Sequence, residues 1–190
     1  MKKSLLTLMT LLNVSLTYSQ VNNNDPLVSD GIHSISASTF DVYYRYEHAI
    51  AKTQTLFAEI GVGSNIAYRQ DETDTYRWGL ALYPSAGVGY RNYYNIQKRA
   101  NAGKKTGYNS ANYFGANIVV NPLDNFYRSK HFDESTQSAF EASVVWGLRR
   151  QLGKSFTFDF NVGPKISNVT FKDNVDVGFI HVQWRFAYNF

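Results

Sequence analysis

The chain has 190 residues, enough for one domain, and no cysteine, which excludes a disulfide scaffold and a lipidated-cysteine anchor. Its net charge of +4 is too small, and its 16% aromatic residues too interleaved with both charge signs, for a nucleic-acid surface. Mean hydropathy is −0.34 and no later run nears the roughly 18 apolar residues of a membrane helix, yet 14 Tyr and 13 Phe are many for so polar a chain.

Lys2 and Lys3 precede the apolar stretch SLLTLMTLLNVSLT, and Thr17 and Ser19 have the small-residue spacing of a signal-peptidase site. This predicts a signal peptide over 1–19, a disordered segment over 20–30 and one folded domain over 31–190. From there apolar and polar residues alternate with period two, the mark of strands with one apolar face. GIHSISA (Gly31–Ala37) is the faintest such segment. The next sets Phe40, Val42, Tyr44 and Tyr46 against Asp41, Tyr43, Arg45 and Glu47. After HAIAKT, a short turn, Leu56, Ala58, Ile60 and Val62 oppose Phe57, Glu59, Gly61 and Gly63. Beyond the polar loop RQDETDTYR, Trp78, Leu80, Leu82, Ala86, Val88 and Tyr90 oppose Gly79, Ala81, Ser85, Gly87, Gly89 and Arg91.

A long connection follows. Tyr90, Tyr93 and Tyr94 suit an interfacial belt, and NIQKRANAGKK has helical character and gathers Lys98, Arg99, Lys104 and Lys105. Phe114, Ala116, Ile118 and Val120 then alternate with Tyr113, Gly115 and Asn117. In the loop after them, HFDE (His131–Glu134) has the composition of a weak cation site or of a solvated loop. Phe140, Ala142, Val144, Trp146 and Leu148 oppose Glu141, Ser143, Gly147 and Arg149 up to the tight turn QLGK. Phe156, Phe158, Phe160 and Val162 oppose Thr157, Asp159, Asn161 and Lys165, with Pro164 tolerable only near a strand end or bulge. After SNVTFKDNVDV, Ile180, Val182, Trp184, Phe186, Tyr188 and Phe190 share a face opposite His181, Gln183, Arg185, Ala187 and Asn189.

One face is bulky and aromatic, the other rich in Gly, Ala, Ser and charge. That reverses a soluble sandwich or lipocalin-like barrel. It predicts an all-β fold, a transmembrane up-and-down antiparallel β-barrel of about eight strands with a short helical basic connection. An even strand count makes Gly31–Ala37 the first strand and puts the short turns and the basic connection in the periplasm, the longer loops outside. Inward then point Asp41, Glu47, Glu59, Glu141 and Asp159 with Arg45, Arg91, Arg149, Lys165 and Arg185. Unpaired charge in a dry lumen is costly, so a balanced set predicts a paired plug. About eight strands leave an interior just filled by side chains, which speaks against an open porin.

His181 is the histidine that points inward from a strong strand. A lipid-modifying enzyme would set it beside Ser and an acid; a hydrogen-bonded lumen histidine is the plainer reading. No catalytic, metal-ligand or cofactor motif of recognised spacing is present. Lys98, Arg99, Lys104 and Lys105 are expected either to meet phospholipid headgroups or a periplasmic partner, or to belong to a solvated linker. Trp184, Phe186, Tyr188 and Phe190 form the kind of aromatic stripe that barrel-assembly machinery recognises.

Tyr93-Tyr94-Asn95, Lys98-Arg99, Gly103-Lys104 and Asn109-Ser110 before a strand, WGLRRQLG before another, and the aromatic last strand resemble a group of small outer-membrane β-barrel proteins of Bacteroidetes. The resemblance runs from about Phe40 to Phe190. It implies an eight-stranded type of barrel in the cell outer membrane and carries over no catalytic residues. The expected role is structural, adhesive or envelope-interacting, with a lipid-modifying enzyme near His181 or a narrow channel as alternatives. Expected partners are outer-membrane lipid and the assembly machinery, with no nucleic acid and no cofactor.

Overall fold

The structure, a computed structural model, describes residues 27–70, 76–121, 125–129, 139–168 and 180–190. The signal peptide over 1–19, most of the segment 20–30, and HFDE lie outside them. The strands are β1 (Ile32–Ala37), β2 (Asp41–Ala51), β3 (Gln54–Gln70), β4 (Tyr76–Asn92), β5 (Asn112–Asn121), β6 (Tyr127–Arg128), β7 (Ala139–Leu152), β8 (Phe156–Gly163), β9 (Lys165–Asn168) and β10 (His181–Asn189). Helix α1 (Ile96–Asn101) and a 3-10 turn, Gly107–Asn109, lie between β4 and β5.

Eight strands close an antiparallel ring in the order β1, β2, β3, β4, β5, β7, β8, β10 and back to β1. The faint first strand closes it: Ser34 faces Asn189, Ala37 faces Phe186, and the Phe190 N–H donates to the His33 carbonyl at 3.0 Å. At one end, here the turn end, lie the tight turns at Lys52–Thr53 and at Gly153, whose φ of +70° suits glycine. The basic connection from β4 to β5 lies at this end too; at the other, the loop end, β1 turns into β2 and the chain leaves β3, β5 and β8.

Three expectations change. The ends of RQDETDTYR are strand, because β3 and β4 run 17 residues each and pair as far as Gln70 with Tyr76, while residues 71–75 lie outside the described residues. Since β2 pairs β3 only to Gly63 and β5 pairs β4 only from Ala86, this hairpin projects beyond the ring. The segment 20–30 is not disordered throughout: Leu27–Asp30 cross the turn end, where Val28 is buried with Tyr93, Ile96, Ala111, Tyr113 and Val145. Tyr93 therefore belongs to an internal apolar cap and not to a surface belt. Pro164 separates β8 from β9 without a bulge, since Trp146 faces Val162 and Ser143 faces Lys165 in one register. It still accepts from the Val144 N–H at 3.1 Å, so the ladder loses only the bond proline cannot donate.

Four large rings point inward, and each faces a cross-strand glycine: Tyr43 with Gly61, Phe57 with Gly89, Tyr83 with Gly63, Tyr113 with Gly147. A Cβ at Gly147 or Gly89 would collide with the ring opposite. The missing side chain is thus the space the ring fills, a cross-strand pairing that recovers packing a bare glycine forfeits. Gly147→Val is expected to lower stability by about 1–3 kcal/mol through overpacking, read as a drop in the urea unfolding midpoint. Ala116→Val on the outer face of the neighbouring β5 should change it by less than about 0.5 kcal/mol.

Candidate functional site

The ring encloses charge. Arg149 Nη1 meets Glu47 Oε2 at 2.8 Å and Arg149 Nη2 meets Asp159 Oδ2 at 3.0 Å. Asp159 Oδ2 also meets Arg91 Nη1 at 2.7 Å and Arg45 Nη1 at 4.0 Å. Arg45 Nη2 reaches Glu59 Oε2 at 2.6 Å, Arg185 Nη1 reaches the same oxygen at 2.9 Å, and Arg185 Nε lies 3.2 Å from Asp41 Oδ1. Four carboxylates and four guanidiniums so form one neutral chain running from the turn end toward the loop end, its side chains at most 17% exposed. Strand alternation puts these residues inside; the antiparallel register puts partners level, as with Arg45 opposite Glu59 and Arg149 opposite Asp159.

Aromatic rings complete the network. The guanidiniums of Arg45 and Arg91 lie 4.3 and 4.9 Å from the Phe57 centroid, and those of Arg91 and Arg185 lie 4.4 Å from Tyr113 and Tyr43. Desolvated cation–π contacts of this kind are worth about 2 kcal/mol each. The Tyr113 hydroxyl donates to Asp159 Oδ1 at 2.5 Å. Glu47 Oε1 accepts from Thr55, Tyr93 and Asn109 at 2.8–2.9 Å.

Asn109 arrives from the basic connection. Tyr108 and Asn109 have φ of +51° and +60°, uncommon for side-chain-bearing residues and held here by contacts. Asn109 Oδ1 accepts from the Ser29 N–H at 2.7 Å, and the Tyr108 carbonyl accepts from Arg149 at 3.4 Å. The connection and the N-terminal segment together floor the ring at its turn end. Sequence reading missed Tyr43, Phe57, Tyr93, Tyr113 and Asn109; the inward glycines opposite the rings were a signal, usable only once the register is known.

Glu141, Lys165 and His181 form a separate group near the loop end. Glu141 accepts from Lys165 Nζ at 3.0 Å and from His181 Nδ1 at 2.9 Å, while His181 Nε2 lies 2.8 Å from Asn161 Oδ1. The Asn161 amide can present oxygen or nitrogen, so it satisfies Nε2 in either protonation state of the ring. Both ring nitrogens are engaged, and among the described residues neither bonds a serine hydroxyl. Between this group and the floor lies a cavity of about 630 Å³, lined also by Asp41, Tyr83, Asn117 and Gln183.

On the connection, Arg99 is tied to the backbone, donating to the carbonyls of Ser110 at 2.7 Å and Lys105 at 3.1 Å. Lys98, Lys104 and Lys105 are exposed. Trp184, Phe186, Tyr188 and Phe190 share the exposed outer face at and just beyond β10. No known protein family matches the chain, and neither does any curated protein or solved structure.

Asp159 serves three arginines and a tyrosine, so Asp159→Asn is expected to destabilise by about 3–5 kcal/mol in urea unfolding, mainly by stranding buried cations. Glu141→Gln, at a site whose carboxylate is 25% exposed, should cost about 1 kcal/mol or less.

Proposed function

We propose that the chain is an integral β-barrel protein of the cell outer membrane, plugged by its paired charges, with a structural, adhesive or envelope-interacting role. The observation that carries this reading is the inside-out ring. Ile35, Val42, Ile60, Val88, Ile118, Val144 and Phe186 are all exposed, on seven different strands, while ion pairs fill the centre. Water-soluble monomers rarely expose contiguous apolar patches beyond a few hundred Å². β2, β5 and β10 have 11, 10 and 9 residues, against the roughly 9–11 of a tilted strand crossing a hydrocarbon core. Tyr94, Trp146, Phe156 and Tyr188 near the turn end, with Trp78, Phe126 and Tyr127 toward the loop end, suit the two aromatic girdles of such a barrel.

On this reading the turn end faces the periplasm and the projecting β3–β4 hairpin faces the medium. Outer-membrane lipid is the main partner, and the stripe from Trp184 to Phe190 is offered to the assembly machinery. The Bacteroidetes barrel proteins that the sequence resembles fit the same picture. The Glu47–Arg149–Asn109 floor favours a plug over a channel, and the engaged ring of His181 favours a structural histidine over a catalytic one.

The chain should fractionate with outer membranes, migrate faster on gels when unheated, and give no steady conductance in planar bilayers. A monomer that stays soluble without detergent would refute the membrane reading. A cysteine at Gly103 should be labelled by an impermeant reagent only after the outer membrane is permeabilised; labelling on intact cells would invert the topology. Changing Lys98, Lys104 and Lys105 to Gln should leave the unfolding midpoint unchanged. The same change should weaken binding of the folded protein to anionic vesicles by up to about 1 kcal/mol per charge, less at high salt.

A further inference from the structure

We propose that the cavity at the loop end is a binding cup for a neutral, polyhydroxylated ligand, the terminal sugars of a glycan. The proposal rests on the surface reading above only for where the ligand comes from. Its chemistry rests on the cup.

The volume, about 630 Å³, lies within the roughly 300–1,000 Å³ of small-molecule sites. The cup has a bottom, because the Arg45–Glu59–Arg185 contacts lie beneath it and the floor at Glu47 lies below them. Its charges are already compensated. An anion would have to draw Arg185 from Glu59 and Asp41, and a cation would have to draw Glu141 from Lys165 and His181. Each exchange breaks a charge-assisted bond to make one, so the cup has no preference to offer an ion.

Arg91 Nε, Arg185 Nε and Asp41 Oδ1 in the lining also lack a hydrogen bond, but the charge of each side chain is met by an ion pair, so the whole side chains left uncommitted are neutral. Asn65, Tyr83 and Gln183 line the cavity without a hydrogen bond to another described side chain. The Asn117 and Asn121 amide oxygens, also in its lining, are sheltered and unpartnered. Unpaired amide acceptors call for a ligand rich in O–H donors, which a turn of the amide brings within reach. The ring of Tyr83, also in the lining and on β4 next to the β5 strand that carries Asn117 and Asn121, supplies a flat apolar face. Amides that take hydroxyls and a ring that takes a C–H face are together the chemistry of a pyranose.

The test uses the full-length protein folded in detergent on an array of neutral hexose, N-acetylhexosamine and deoxyhexose oligosaccharides with their sialylated and phosphorylated counterparts. Hits are titrated by calorimetry. The expected result is saturable binding of at least one neutral oligosaccharide, equal at low and high salt. Gln183→Leu should weaken it about tenfold, the loss of one net hydrogen bond. Tyr83→Leu should weaken it by at least as much, and Tyr83→Phe should restore most of the loss. Folded protein that binds no neutral sugar overturns the proposal. So does binding confined to the charged counterparts, or sugar binding indifferent to Gln183→Leu and Tyr83→Leu. A chain that is soluble without detergent yet binds sugar with these responses would refute the membrane reading and leave the cup standing.

Discussion

Everything inside this ring depends on bringing charge out of water without leaving any of it alone. Glu47, Asp159, Glu59 and Asp41 alternate with Arg149, Arg91, Arg45 and Arg185 so that every charge touches an opposite one. Such an array is neutral, and each side chain holds its neighbours in one rotamer. Replacing such groups with apolar ones is often tolerated, whereas removing one member is not. The network is therefore better understood as a specification of the ring's contents than as a large reserve of stability. It also fixes which residues stand around it. Guanidiniums stack on Phe57, Tyr43 and Tyr113, and those rings need glycines across from them.

The turn end shows how the array is sealed. Glu47 is the last acid toward that end, and three neutral donors from β3, the segment just after β4 and the 3-10 turn converge on one of its oxygens. Asn109 reaches it only by adopting a left-handed backbone next to a second left-handed residue. Folded back in this way, the connection covers the lumen with Tyr93, Ile96 and Ala111 while leaving its lysines on the far side. A long connection where a tight turn would suffice thus becomes the bottom of the vessel.

The strand alternation was legible because its period is two and its apolar residues are large. Phe156, Phe158 and Phe160, or Trp184, Phe186 and Tyr188, allow no other face assignment. The set of inward charges followed directly from it. Which acid meets which base did not, since that needs the stagger between strands, which one sequence does not state. The extent of β3 and β4 was underread because a hairpin that leaves the ring no longer needs one apolar face. Tyr93 was misplaced for a related reason: just past a strand end, alternation no longer says which way a side chain points.

Alternation has a blind spot that the ring–glycine pairs narrow. Sliding one strand past its neighbour by two residues keeps every apolar group outside and every polar group inside, so the faces alone cannot detect the error. The rings can. Shifted by two, Tyr113 would meet Val145 or Arg149 in place of Gly147, and Phe57 would meet Gly87 or Arg91 in place of Gly89. Three of those four alternatives put bulk against bulk in a space already filled. Tyr43, Phe57, Tyr83 and Tyr113 stand on the β2–β3, β3–β4 and β5–β7 boundaries. They act as detents, in both directions at the β5–β7 boundary and in one direction at the β2–β3 and β3–β4 boundaries, where the shifted ring would meet Glu59, Asn65 or Arg91.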